Sequence, residues 1–100
     1  MDKIMNEVCV FLADGFEEIE GLTVVDLLRR AGIETRTVSI MGQEEIKGAH
    51  GIIVKADSLF ENTDFSEVKM LVLPGGMPGT IHLKEHKGLE GLILKHNEEK

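Results

Sequence analysis

A continuous apolar run near the N-terminus, Val8 to Leu12, limits the possible folds more than any other segment. Its residues do not alternate with polar ones, which is typical of a strand that is buried on both faces of a parallel sheet. A second run of this kind, Met70 to Leu73, stops abruptly at a loop rich in Pro and Gly. We therefore predict an α/β domain in which the first run is the central strand.

A helix and a second strand are predicted to follow the first run. Glu17, Glu18 and Glu20 place negative charge in a first helical turn, where the helix dipole favours acids, and we interpret the first two as doing no more than this. The helix should end near Gly32, because glycine readily takes the left-handed conformation that closes a helix. Residues Glu34 to Ile40 then predict a strand, and a unit of this kind has a right-handed crossover.

The rest of the chain predicts an antiparallel excursion, a loop and a final helix. Two short β-type pieces, around Glu45–Lys47 and Ile52–Val54, are separated by glycines and should pair. Residues 57–65 should be a loop with at most one helical turn. Further residues repeat at helical spacing: Leu89, Leu92, Ile93 and His96. Three parallel strands would leave apolar edges exposed, so we expect further strands from a second chain or from residues outside this sequence.

Composition is that of an ordinary globular domain. One hundred residues allow one domain at most, and 42% hydrophobic with 29% charged residues is far from a disordered composition. The net charge of −7, with scattered Lys and Arg, argues against binding to nucleic acid or to an anionic membrane. One cysteine, and an apolar stretch from Val8 to Ala13 that is too short for a signal peptide, indicate a reducing compartment, which we predict to be the cytoplasm.

Two loops form the predicted ligand-binding region. Ligands of open parallel sheets bind at the carboxyl ends of the strands. Ala13–Phe16 follows the first apolar run and Pro74–Gly79 follows the Met70 run. The adjacent glycines Gly75 and Gly76 allow backbone N–H groups to face a ligand without a Cβ atom in the way. Paired amides of this kind suit an oxyanion or a carboxylate.

Glu20 lies on an unexpected face of the predicted helix. At about 100° per residue it shares the stripe of Val24, Leu27 and Ala31, which the helix should bury. A buried carboxylate needs a partner or a proton, and enzymes use such a group as a proton donor or as the partner of a thiolate. The other interpretation is a first-turn glutamate that reaches solvent near the helix dipole, and the residues alone leave both open.

Three segments together resemble the ThiJ/PfpI family: Ala13–Glu20, Val25–Ile33 and Leu71–Gly76. Their order and spacing are similar to that family over essentially the whole chain. The resemblance implies a flavodoxin-like three-layer sandwich with a mostly parallel sheet, an α/β fold of which residues 1–100 would be the N-terminal half. It also implies a C-terminal half that carries a nucleophilic cysteine on a strand-to-helix elbow.

The resemblance implies roles for individual residues. Glu20 would hydrogen-bond the nucleophilic cysteine and help to set its pKa, and Gly76 would offer a backbone amide to the oxyanion. Gly75, Gly15 and Arg30 would support binding. The elbow cysteine and the histidine that often follows it are absent from this sequence, so residues 1–100 alone would lack the nucleophile.

The single cysteine and the histidines predict no further site. Cys9 lies within the first apolar run, where a thiol is buried and protonated, so it should be an inert core residue. His50, His82, His86 and His96 show no convincing metal pattern; the second and third would share a helix face, but their charged neighbours indicate a solvated surface. We therefore predict neither a metal ion nor a cofactor.

The resemblance implies a cysteine-dependent enzyme of the deglycase or glyoxalase type, acting on small aldehydes or glycated adducts, or an oxidative-stress thiol sensor or chaperone. The alternative is a non-enzymatic interaction module, because Ile19 and Leu22 lie among polar residues of the first helix and could face a partner helix in a homodimer. A phosphate-binding fold of the flavodoxin or receiver type is disfavoured, since the Pro74–Gly79 loop lacks a lysine and the first loop lacks hydroxyl side chains.

Overall fold

The computed structural model of the protein describes residues 7–98, and within them the chain forms six strands and three helices. In chain order they are β1 (Val8–Leu12), α1 (Glu18–Arg30), β2 (Thr35–Ser39), β3 (Glu45–Lys47), β4 (Ile53–Lys55), β5 (Ser58–Leu59), β6 (Met70–Val72), α2 (Gly79–Glu85) and α3 (Lys87–Glu98). A 3₁₀ turn, Phe60–Asn62, follows β5. Within residues 7–98, no helix has both the length and the apolar character needed to cross a membrane.

The first apolar run is the central strand, as predicted. Strand β1 pairs in parallel with β2 on one side and with β6 on the other, so that Val8 lies opposite both Thr35 and Met70. All five residues of β1 are buried. Their side chains project alternately to the two faces, which explains why the run has no polar position.

The sheet has a fourth strand that the sequence did not predict. Strand β5 pairs in parallel with β2, giving the order β5-β2-β1-β6. The prediction of loop for residues 57–65 is therefore wrong at Ser58 and Leu59. Two residues are too few to show the alternation that identifies a strand, and backbone pairing with β2 determines their conformation.

The antiparallel excursion is confirmed. Strands β3 and β4 pair with Ile46 opposite Val54, and β4 lies one residue later than predicted. Ile46 is fully buried and belongs to the same apolar cluster as Val10 and Leu12. The hairpin therefore rests on the face of the sheet that α1 also covers.

Apolar residues fill both faces of the sheet, giving three layers. Helix α1 and the hairpin cover the face that carries Val8, Val10 and Leu12. Helices α2 and α3, with the segment around Phe60, cover the face that carries Cys9 and Phe11. This is the mostly parallel α/β sandwich that the resemblance implied.

Helix α2 was not predicted, whereas α3 was. A seven-residue helix that directly follows a Pro and Gly loop shows too little periodicity to recognise. His82 lies in α2, but His86 is the residue that ends it, so the two histidines do not share a helix face as expected. His86 Nδ1 instead accepts the Leu89 N–H at 2.9 Å and its ring lies against Phe60, which makes it a structural residue at the start of α3.

Candidate active site

The two loops predicted to bind a ligand meet at the carboxyl ends of β1 and β6. The Gly79 N–H donates to the Gly15 carbonyl at 3.2 Å, and the Glu17 N–H donates to the Gly75 carbonyl at 2.8 Å. The first loop is also tied to the hairpin, because the Gly15 N–H donates to the Lys47 carbonyl at 2.8 Å. These bonds fix the start of α1 against the loop that follows β6.

Glycine is required at the contact between the loops. Gly76 has φ of 103°, and a Cβ atom there would lie 2.5 Å from the Glu17 nitrogen. Gly15 has φ of 88°, and a Cβ there would overlap the Pro78 side chain. Any side chain at either position would be strained in its backbone and would push the loops apart.

Glu20 reaches across to the second loop. Its Oε1 accepts the Gly75 N–H at 2.9 Å, and a Cβ on Gly75 would lie 2.6 Å from that oxygen. No hydrogen bond found among residues 7–98 uses the other carboxylate oxygen, Oε2. The structure thus brings together Glu20 and Gly75, with one carboxylate oxygen held and the other available.

The expected buried stripe of α1 is wrong by about a third of a turn around the helix axis. Glu20, Leu27 and Ala31 are exposed, whereas Val24 is partly buried as expected. The buried residues of the helix are Glu18, Gly21 and Val25, and Leu22 and Leu28 are partly buried against the same apolar cluster. A Cβ on Gly21 would lie 3.0 Å from the Phe16 ring, so this glycine lets the helix approach closely at its first turn. The close approach selects the face that is buried.

Gly76 and Arg30 have different positions relative to Glu20. The Gly76 carbonyl accepts the Thr80 N–H at 2.9 Å, but no hydrogen bond found in residues 7–98 uses the Gly76 N–H. That amide is next to the one that holds Glu20 and is able to donate to an oxyanion. Arg30 lies at the far end of α1, roughly 15 Å along the helix axis from Glu20, and its Nε donates to Asp26. The structure therefore does not bring Arg30 to the Glu20 loop.

Glu18 is the buried carboxylate of α1, and the sequence analysis missed it. Its side chain is only 4% exposed. Its Oε2 accepts the backbone N–H groups of His50 at 2.8 Å and Ile52 at 3.3 Å, and its Oε1 lies 2.9 Å from His50 Nδ1. A Cβ on Gly48 would overlap the carboxylate, so the loop needs glycine to enclose it. Gly48 was interpreted only as part of the turn between the two β-type pieces, although it also marks this enclosure.

The hydrogen bonds around Glu18 shift two pKa values in opposite directions. Burial would raise the pKa of the Glu18 carboxyl, but the hydrogen bonds from the His50 side chain and from three backbone N–H groups outweigh it and lower this pKa to about 2. The hydrogen bond to Glu18, together with the charges of Glu17 and Glu18, raises the pKa of His50. The two groups therefore form an ion pair in mildly acidic solution.

Cys9 is not a nucleophile. It is fully buried in β1, and burial raises the pKa of its thiol to about 11, although the Arg36 charge acts in the opposite direction. The thiol is protonated at neutral pH, as the sequence predicted.

An apolar cavity opens beside Gly75. Its volume is about 570 Å³, and it is lined by the loop after β6, by α2 and by α3, including Leu73, Leu83, Ile93 and Leu94. The site as described combines a held carboxylate, a backbone amide and an apolar recess. This arrangement can support a thiol and an oxyanion, but residues 7–98 offer no reactive thiol of their own.

Comparison with known proteins identifies the family of the chain. The family model described as DJ-1/PfpI matches residues 6–100. Protein DJ-1 homolog B of Arabidopsis thaliana is 33% identical over 97 residues, which cover 97% of this chain and 22% of that protein. A deglycase of Thermococcus kodakarensis is 35% identical over 80 residues, which cover 79% of this chain and 48% of the deglycase.

A solved structure shows the same fold. The oxidized form of Toxoplasma gondii DJ-1 superposes with a TM-score of 0.88 at 33% identity, covering 92% of this chain and 50% of the other. The chain spans about half the length, or less, of the relatives and of the solved structure that it matches. Because the family model covers nearly all of its residues, the chain belongs to the DJ-1/PfpI family.

Proposed function

We propose that the full-length protein is a cysteine-dependent enzyme that acts on small aldehydes or glycated adducts, and that this chain is the N-terminal half of its catalytic domain. The observation that carries the proposal is the Glu20 carboxylate, which the Gly75 amide holds beside the Gly76 amide. The name of the Thermococcus relative, a deglycase, supports this substrate class.

The geometry suggests a division of roles in this reaction. A thiolate from the C-terminal half would attack the carbonyl carbon of the aldehyde, and the carbonyl oxygen would become an oxyanion. The Gly76 N–H would donate to that oxyanion. Glu20 Oε2 would form a hydrogen bond with the cysteine sulfur, while the Gly75 N–H holds Oε1 in position. A reactive thiol of this type would also be sensitive to peroxide, so a role as a thiol sensor draws on the same site.

Consumption of methylglyoxal by the full-length protein tests the proposed enzymatic activity. The parent is compared with a variant in which the elbow cysteine is replaced by serine. We expect the serine variant to lose nearly all activity, because a hydroxyl is a much weaker nucleophile than a thiolate. Equal rates for the two proteins would refute the proposed activity.

Replacement of Glu20 by Gln tests the role of the carboxylate. We expect the pKa of the elbow cysteine and its rate of oxidation to change, because the amide differs from the carboxylate in charge and in donor capacity. Alkylation rates measured against pH report both quantities. Superimposable profiles for parent and variant would make Glu20 a structural residue only.

Exposed apolar residues favour a second function, self-association. The side chain of Ile19 is 74% exposed at the start of α1, and Ile52 and Ile53 are also largely exposed. The hydrogen bond from the Ile52 N–H to Glu18 joins the segment that leads into β4 to this first turn of α1, and we infer that the three isoleucines contribute to one surface. Leu22, in contrast, is partly buried against the core and is not available as expected. We propose a homodimer through this surface.

The dimer has its own experiment. Ile19→Lys and Ile53→Lys should each shift the full-length protein toward a monomer in light scattering, since a buried lysine opposes association. Leu27→Lys, on an exposed part of the same helix, is a control for added charge. A mass that does not change in either isoleucine variant would refute this interface.

The cytoplasmic location expected from the single cysteine remains a prediction.

A further inference from the structure

Three potential metal ligands converge beside the start of α1. His50 Nδ1 lies 2.9 Å from Glu18 Oε1 and 3.8 Å from Glu17 Oε2. One ligand atom from each residue lies within 4.8 Å of the other two. Metal–ligand bonds to nitrogen and oxygen are about 2.0–2.2 Å, so neighbouring ligand atoms of one ion are roughly 3–3.5 Å apart. Only small side-chain movements would bring the three atoms to this spacing.

Each carboxylate is held by one oxygen and presents the other. Glu17 Oε1 accepts the Ile19 N–H at 3.0 Å as the cap of α1, which leaves Oε2 to face His50. Glu18 Oε2 accepts the N–H groups of His50 and Ile52, which leaves Oε1 to face the same ring. In protein metal sites, hydrogen bonds of this kind hold the ligand side chains in position.

The cluster is anchored on one side and open on the other. Glu18 is almost completely buried, and the loop that encloses it has no room for a Cβ at position 48. The His50 side chain is 67% exposed in the single chain, so solvent reaches its ring. The backbone of the 48–52 loop also accounts for the fixed position of His50, whose own N–H binds Glu18.

We propose that Glu17, Glu18 and His50 bind a divalent first-row transition-metal ion through Oε2, Oε1 and Nδ1, with water completing the coordination. An imidazole favours zinc, nickel or iron over magnesium or calcium, and the lack of thiolates in this cluster argues against Cu⁺. Two carboxylates and a neutral imidazole balance the charge of the ion. When His50 is protonated, binding of the ion displaces the Nδ1 proton to solvent.

The metal site and the Glu20 site are neighbours with separate side chains. Glu20 faces the loop after β6, whereas Glu18 faces the 48–52 loop. Both glutamates belong to the first turn of α1, and Glu17, whose N–H donates to the Gly75 carbonyl, lies between the two loops. The proposal therefore does not depend on the proposed aldehyde chemistry, and its test measures binding rather than activity.

Titration of the full-length protein with Zn²⁺ in a calorimeter tests the proposal. The protein is first freed of metal with a chelator, and its accessible cysteines are alkylated so that thiolates do not compete. We expect one site, and we expect His50→Gln to weaken Zn²⁺ binding by at least about tenfold. Glu17→Gln should also weaken Zn²⁺ binding, while the amide oxygen of the new side chain still caps α1.

A matched control and a second measurement complete the test. His96→Gln removes a histidine from α3, far along the chain from this cluster, and should leave Zn²⁺ affinity unchanged. In NMR spectra of the histidine rings, the His50 signals should shift and saturate at one equivalent of Zn²⁺. The proposal is wrong if His50→Gln binds Zn²⁺ as tightly as the parent, or if the His50 ring signals do not respond.

Discussion

Gly75 is the residue on which the position of Glu20 depends. The φ of Gly75 is not in the left-handed region, so the backbone of an alanine can adopt the same conformation. The new Cβ, however, would lie 2.6 Å from Glu20 Oε1. We predict that Gly75→Ala displaces the carboxylate and lowers the alkylation rate of the elbow cysteine about tenfold, the equivalent of one hydrogen bond to a charged group. The measurement is the alkylation rate of the full-length protein at pH 7.

Gly91→Ala is the matched control for that substitution. Gly91 lies within α3, and a Cβ there would meet no atom within 4 Å. Alanine should stabilise the helix by about 0.5–1 kcal/mol and leave the alkylation rate unchanged. If Gly75→Ala also left the rate unchanged, the Glu20 carboxylate would not be part of the thiol site.

The Glu18 and His50 pair should make stability depend on pH within a defined window. The pKa of Glu18 is lowered from 4.5 to about 2, so its contribution is present above pH 4.5 and is lost as pH falls toward 2. The pKa of His50 is raised from 6.5, so its contribution is present below pH 6.5 and is lost as pH rises through the raised value. The pair therefore contributes fully between pH 4.5 and 6.5.

The urea midpoint of unfolding measures this contribution. In buffer with a chelator, the difference between the parent and His50→Gln should be largest between pH 4.5 and 6.5 and smaller on both sides. His96→Gln should show no such maximum. A difference between the parent and His50→Gln that is constant from pH 3 to 9 would contradict the proposed ion pair.

At the scale of elements, Asp14 fastens the β3–β4 hairpin to the end of β1. Its Oδ1 accepts the Lys47 N–H at 3.0 Å, beside the bond from the Gly15 N–H to the Lys47 carbonyl. We predict that Asp14→Ala loosens the hairpin at a cost of about 1 kcal/mol and speeds hydrogen exchange of the Lys47 amide. Asp14→Asn retains an acceptor at the same position and should preserve most of the protection. Equal exchange in parent and alanine variant would show that the hairpin is held by its apolar contacts alone.

Elements with a clear pattern of apolar residues could be predicted from the sequence, and short elements could not. Strand β1 and helix α3 were both predicted. All five residues of β1 are buried, and in α3 Leu89 is buried and Leu92 partly buried, although Ile93 is exposed. Strand β5 and helix α2 have two and seven residues, and their conformations depend on neighbours that are distant in sequence. Helix α1 was predicted in extent but not in rotation, because the close approach at Gly21 selects the buried face.

The residues of the candidate site also divide into those that could be predicted from the sequence and those that could not. Glu20, Gly75 and Gly76 were identified from a local motif and from a family resemblance, and the structure places Glu20 on the Gly75 amide. Glu18 and His50 are 32 residues apart, and no local pattern connects them. Their contact exists only because the loop after β3 folds back on the start of α1, which is a property of the tertiary structure.

At the scale of the whole molecule, one side of the described sheet presents an apolar surface. Within residues 7–98, β6 pairs only with β1, and the cavity beside Gly75 is lined by Leu73, Ile93 and Leu94. The side chain of Leu94 is 60% exposed in this chain. A surface of this kind on a domain is normally covered by further protein. We expect the proposed C-terminal half to cover it.

Leu94→Asp distinguishes a covered surface from an exposed one. In a fragment of residues 1–100 the substitution should change stability by no more than about 0.5 kcal/mol, because Leu94 is already largely exposed. In the full-length protein it should cost at least about 2 kcal/mol, because a charge would replace a buried leucine. Lys95→Asp introduces the same side chain one position along α3 and controls for charge near the end of the helix. Urea unfolding of both lengths measures these values, and an equally small effect of Leu94→Asp in both would mean that the C-terminal half packs elsewhere.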